Sequence, residues 1–344
     1  MKNINAVGLF DFEERLLKLT NANDPLVRLK MLVNWEQFRP ILEGALRKES
    51  KGKGGRPPFD YVLMFQILIL QRYYNLSDDQ TEFQILDRAS FMRFLGLKLS
   101  DKVPDSKTIW HFREVLTDKN LVEQLFEKFH HSLDSAGLIL HEGSIVDASF
   151  VTIPKQRNSR DENAEIKSGK TPDWEENKLA QKDVEARWTK KNNETFYGYK
   201  DHVKTDAGSK IITKYEVTSA EVHDSKVFDK LIDESDKGKK IYADSAYVGQ
   251  EKMLAEKQVE SKIHEKGYRN KPLTESQKES NTEKSRVRVR VEHIFGFIEN
   301  SMGGSHIRSI GKTRARTIIG LINLTYNIFR GLQLMKIQGI VASV

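Results

Sequence analysis

Three acids stand where an acid needs a partner or a task. Asp147 sits in the middle of GSIVDASFVTI, a short β-branched run over residues 143–153, where a charge is costly unless it is paired or used. Asp244 comes at the C-terminal end of a short apolar strand, residues 240–243, just before the turn Ser245-Ala246-Tyr247-Val248-Gly249. Glu292 lies in SRVRVRVEHIFGFIEN, where Val287, Val291, Ile294, Phe295 and Ile298 follow one helical face and Arg288 precedes the acid by one turn. Taken alone, Glu292 reads as an ion-paired surface acid flanked by Arg286, Arg288 and Arg290. Taken together, three clustered carboxylates raise one another's pKa and call for a cation. Oxygen donors suit Mg²⁺, with Mn²⁺ as a substitute; two such ions about 3.5–4 Å apart activate a water or 3′-hydroxyl for in-line phosphoryl displacement.

The elements around these acids can be read in order. Residues 199–205 and 210–217 flank Asp206-Ala207-Gly208-Ser209, a hairpin signal, so the Asp147 strand and the hairpin predict three antiparallel strands. His223-Asp224-Ser225 opens a helix through Ile232, with Asp224 or Ser225 as its cap. The Asp244 strand, a helix over 250–257 and a short strand over 262–265 follow; residues 268–284 read as a polar loop, and 314–335 as an apolar closing helix. Strand Asp, hairpin, helix, strand Asp, strand, helix Glu is the order of an RNase H-like core, in which the first and fourth strands lie side by side. Residues 155–195, dominated by Lys, Asp, Glu, Asn and Gln with Trp174 and Trp188 as isolated anchors, read as a charged and largely mobile insertion.

Upstream, Asp24-Pro25 starts a helical segment, and residues 60–74, apolar nearly all round, predict a central helix. Between them runs KESKGKGGRPP, residues 48–58, a basic linker that includes Arg56. Ser77 caps a short helix, and Val103-Pro104-Asp105 leads into a second that carries Lys107, Trp110, His111 and Arg113, the outline of a helix-turn-helix reader of DNA. The fold expected is therefore mixed α+β: an all-α helical domain with this helix-turn-helix outline over 1–140, then an RNase H-like α/β domain over 141–335. The 344 residues carry 56 Lys and Arg against 49 Asp and Glu, a net +7 compatible with a polyanionic partner. With no Cys, thiolate zinc sites and a Cys nucleophile are excluded, and a reducing cytoplasm is suited. No signal-peptide core or membrane-length apolar run is present. Lys200 is a candidate phosphate contact, while His202, His223 and Asp224 are candidates to stand behind the metal ligands.

The blocks GRPPFDYVLMFQILILQRYYNLSDDQ, PDSKTIWHFREVL, GSIVDASF, GYKDHVKTDAG, HDSKVFDKLI, YADSAYVG and RVRVEHIFGFIE, in this order, make the chain resemble DDE transposases of bacterial insertion sequences, in the insertion sequence five family. The resemblance runs from about residue 24 to 330 and implies that the first domain is DNA-binding and the second catalytic, with a DDE triad at Asp147, Asp244 and Glu292 that cleaves DNA at terminal inverted repeats and joins the ends to target DNA. Joining two ends requires holding them together, so a homodimer or higher assembly on DNA is expected, and composition with the resemblance suits a bacterial cytoplasmic protein. An Arg four residues before the Glu is matched by Arg288; the family's Tyr three further back is Ser285 here, and a Lys or Arg seven after the Glu is replaced by Glu299. A nuclease of the same superfamily, or an inactive DNA-binding relative, is the alternative reading of the same residues.

Overall fold

The computed structural model describes residues 8, 10–47, 57–191 and 193–340. Residues 48–56 of the basic linker, Arg56 among them, lie outside the described residues. The chain divides into two compact units, Met1–Lys128 with Gly331–Val344, and Phe129–Arg330.

The first unit is helical: α1 (Asp11–Asn21), α2 (Pro25–Leu32), α3 (Arg39–Leu46), α4 (Tyr61–Tyr73), α5 (Asp78–Asp87), α6 (Ala89–Leu95), α7 (Ser106–Asp118) and the start of α8 (Leu121–Ser135). The starts follow the cap chemistry. Asp24 accepts from Leu26 N, Ser77 forms a capping box with Gln80, and Asp105 accepts from Thr108 N. Helix α4 buries Val62, Met64, Phe65 and the run Gln66 to Gln71, so it has no solvent face over its middle turns. Trp35, Phe38, Phe65 and Phe94 pack edge-on or tilted around it, with ring centroids 4.8–6.2 Å apart.

The second unit is built on a six-stranded sheet. Its strands are β1 (Ser144–Thr152), β2 (Arg187–Lys191), β3 (Glu194–Asp206), β4 (Ile212–Ser219), β5 (Lys240–Ala243) and β6 (Glu260–Ile263). Strand β3 is antiparallel to β1 on one edge and to β2 and β4, end to end, on the other. On the far side of β1, β5 and then β6 continue in parallel. The expected adjacency of the two Asp-bearing strands is present. At Gly198, where β3 pairs with both Thr152 and Arg187, φ is +146° and a Cβ would lie 2.4 Å from the Val151 carbonyl oxygen, so only glycine fits.

Four of the helices cover the two faces of the sheet. On one face α11 (Phe228–Leu231) and α12 (Glu251–Glu256) close a core of Val146, Phe228, Leu231, Ile241, Ala243, Tyr247 and Leu254. On the other lie α13 (Glu275–Met302), which buries Val291, Ile294 and Ile298, and α14 (Lys312–Gln338). Asn327 of α14 holds both the N–H and the carbonyl of Ile212 at 2.9 and 2.7 Å, fixing the helix to the hairpin.

Three expectations are corrected. Residues 155–195 are not a loose insertion: they form α9 (Arg160–Lys167), α10 (Glu176–Leu179) and β2, and buried Asp183 accepts from Tyr199 Oη, Glu185 N, Ala186 N and Gly311 N at 2.7–2.9 Å. Four donors on one carboxylate supply the order that apolar content does not. The stretch before the Glu292 helix is not a loop either, because Thr274 and Gln277 form a capping box that starts α13 ten residues early. Finally, the turn after β4 is capped by the His223 side chain, and Asp224 opens a 3₁₀ turn over Asp224–Lys226 rather than a continuous helix.

Candidate active site

The parallel pairing of β1 with β5 matches Ser144 with Ile241 and Ile145 with Tyr242. Two residues farther along stand Asp147, in β1, and Asp244, just past the end of β5, which that register makes level with each other. Strands alternate their side chains, so Asp147 points away from the Val146–Ala243 core and toward α13, where it meets Arg288; Asp244 lies near enough for its charge to bear on Asp147. Helix α13 presents Glu292 there, one residue after buried Val291, with its side chain about half exposed.

Asp147 is 8% exposed. Its Oδ1 accepts from Ala148 N at 2.8 Å, and its Oδ2 from Arg288 Nη1 at 2.7 Å. Burial pushes its carboxyl up to about 6; the Ala148 N–H and the Arg288 charge oppose the rise, and the charges of Asp244 and Glu292 add to it. Asp244 Oδ1 accepts from Ala246 N at 2.8 Å, capping the 3₁₀ turn Ser245–Tyr247. Arg288 Nη1 also stands 3.7 Å from Glu292 Oε1, so one guanidinium bridges two of the three acids. The donor set, carboxylate oxygens alone, fits a hard divalent cation. Among the described residues no group of three or more His, Cys, Asp or Glu is arranged to hold one; Arg288 stands between Asp147 and Glu292.

The neighbouring candidates separate by location. Arg286 is exposed on α13, whereas Arg290 donates to the Ala207 carbonyl at 2.6 Å and clasps the hairpin turn. Lys200 and His202 pair with Phe150 and Ala148, so they point to the sheet face opposite Asp147. There Lys200 Nζ is buried and donates to Asp224 Oδ1 and the Val222 carbonyl, both at 2.8 Å, which leaves no free ammonium for a phosphate. His202 is fully buried, bonded through Nε2 to Thr218 Oγ1 at 2.8 Å, and burial lowers its pKa to about 4. His223 is exposed, with Nδ1 2.8 Å from Ser225 Oγ. In the helical unit Lys107, Trp110 and His111 are exposed on α7, while Arg113 forms a two-pronged pair with Asp78 at 2.7 and 2.8 Å and also reaches Gln71. Glu299 is exposed and lines a cavity of about 20 Å³ with Ser149, Asp201 and Ser305.

Asp201 was not singled out by its sequence setting. It stands opposite Ser149 on the Asp147 face of the sheet, with Oδ1 buried and unpartnered, and burial pushes its carboxyl up to about 7 while Asn323 opposes. An acid inside a strand is also present in TFYGYKDHVKTD, but among Lys and His neighbours rather than in an apolar run.

A family model described as Transposase DDE domain matches residues 139–328, and one described as Transposase domain (DUF772) matches residues 14–115. Among solved structures, a piggyBac transposase synaptic complex with hairpin DNA aligns at a TM-score of 0.45 and 13% identity, over 94% of this chain and 77% of that one.

Proposed function

We propose, for a chain that belongs to the transposase DDE domain family, that Asp147, Asp244 and Glu292 are its catalytic and metal-holding carboxylates. The chain is a DNA transposase, a polynucleotidyl transferase. The observation that carries the assignment of its site is the β1–β5 register, which sets two acids level on neighbouring strands beneath the helix bearing the third.

Bound divalent cations, Mg²⁺ by donor chemistry and Mn²⁺ as substitute, would be held by these carboxylates and would supply activation of a water or 3′-hydroxyl and stabilisation of the leaving oxygen. The protein's own part is placement. Asp147 is locked by the Ala148 N–H with Oδ2 facing α13, and Asp244 is locked by the Ala246 N–H. Exposed Arg286 stands on the same helix to receive a backbone phosphate. In the reaction the attacking oxygen bonds to phosphorus, its proton passes to solvent, and the 3′ oxygen of the broken phosphodiester departs in line.

The helical unit supplies the end-binding function, with Lys107, Trp110 and His111 on α7 as its contacts. Membership of the insertion sequence five group, cleavage at terminal inverted repeats, and an assembly of at least two copies on DNA complete the reading, because joining two ends requires holding both. Incubation with Mg²⁺ and DNA carrying the element's ends should release 3′-hydroxyl ends and join them to a target plasmid. Asp244→Asn should lose at least about a hundredfold in both steps. Equal activity of Asp244→Asn and wild type would refute the assignment; hydrolysis of unrelated duplex without joining would reduce the activity to that of a nuclease.

A further inference from the structure

We propose that Arg288 is a built-in counter-ion that occupies the carboxylate centre while no divalent cation is bound and must yield Asp147 to one, so that this side chain sets the metal affinity of the site. The proposal rests on the carboxylate assignment above. Three observations converge on it. Arg288 Nη1 lies 2.7 Å from Asp147 Oδ2 and 3.7 Å from Glu292 Oε1, between two of the three acids. Asp147 has its Oδ1 fixed by the Ala148 N–H, so the oxygen given to Arg288 is the one that faces the other acids and remains for a metal. Arg288 Nε is buried with no acceptor.

The number of acceptors separates Arg288 from Arg113. Arg113 engages both oxygens of Asp78 and the Gln71 amide oxygen, and nothing in that arrangement invites it to leave. Arg288 is held by charge through one terminal nitrogen, and its unsatisfied N–H makes its present position less favourable than a fully bonded one. A competing cation therefore displaces a weakly satisfied group.

The probe is Mn²⁺ alone, titrated at about pH 8 into the purified full-length protein without DNA, with free ion read by its paramagnetic resonance signal. If Arg288 holds Asp147 for about nine-tenths of the time, the apparent Kd is about tenfold weaker than the site's own, and Arg288→Gln should tighten binding by that factor. Arg286→Gln removes the same charge two residues away without contact to the acids, and should change the Kd less than about twofold because an exposed charge is screened. Equal or weaker binding in Arg288→Gln overturns the proposal, and so does equal tightening in Arg286→Gln. Should Arg288→Gln not fold, Arg288→Met, which keeps the aliphatic stem, is read by the same criteria. Mn²⁺ binding by Asp147→Asn as tight as by wild type would overturn the carboxylate assignment itself, an outcome distinct from the failure of Arg288 alone.

Discussion

Asp147 and Asp201 are acids on the same face of adjacent strands, and burial raises both, to about 6 and about 7. They differ in company: Asp147 has an arginine and two further acids around it, Asp201 an amide and a small cavity. An acid whose folded pKa lies above its unfolded value binds protons more tightly when folded, so stability is full below about pH 4 and declines as pH rises to about 7. Asp201→Asn removes the ionisation without changing shape. Its stability relative to wild type should therefore be about 2 kcal/mol more favourable at pH 8 than at pH 5, measured by chemical denaturation at both. A pH-independent difference would mean Asp201 titrates normally. The sequence makes Asp147 legible because its strand is short and otherwise apolar. It hides Asp201 because Lys200, His202 and Lys204 on alternate positions make β3 look solvated, when they are buried and three of their partners, Asp224, Asp233 and Asp236, come from segments far along the chain.

At the scale of elements, periodicity found the half of α13 that packs and missed the half that does not. Residues 275–284 have no apolar face; the helix there is set by the Thr274–Gln277 capping box, the Glu275–Lys278 pair and the Asn281 bonds to the Glu265 backbone. The insertion fails the same test for a related reason. Its order comes from polar satisfaction rather than apolar burial: Asp183 gathers donors from β3, its own turn and the segment before α14, and Glu162 takes the Trp174 indole and Lys178 at 2.7 and 2.6 Å. Composition alone predicts mobility for such a stretch; the pairing of each polar group is what composition does not encode. Asp183→Ala leaves buried donors without an acceptor, at about 1–3 kcal/mol each in the uncompensated limit. Limited proteolysis should then cut residues 155–186 faster than in wild type while the strands stay protected. Unchanged cleavage would show that the insertion is held by other contacts.

Across the whole molecule, the two units put different demands on a net charge of +7. In the second unit Lys200, Lys204 and Arg290 are already spent on acids or carbonyls. In the first, Lys107 and His111 are exposed on α7 and Trp110 is 48% exposed, while Arg113 of the same helix is turned inward to Asp78. A phosphate contact by Lys107 adds one released counter-ion to binding, so Lys107→Gln in the full chain should lower the slope of log K against log salt by about 0.9 and weaken binding to all duplexes alike. Trp110→Ala should weaken binding with the salt slope unchanged, since its contact carries no charge. Neither should alter the joining rate once DNA is saturating, whereas Asp244→Asn should abolish joining and leave the salt slope at its wild-type value. A loss of joining in Lys107→Gln at saturating DNA would mean that α7 takes part in the reaction itself and that binding and chemistry are not divided between the two units.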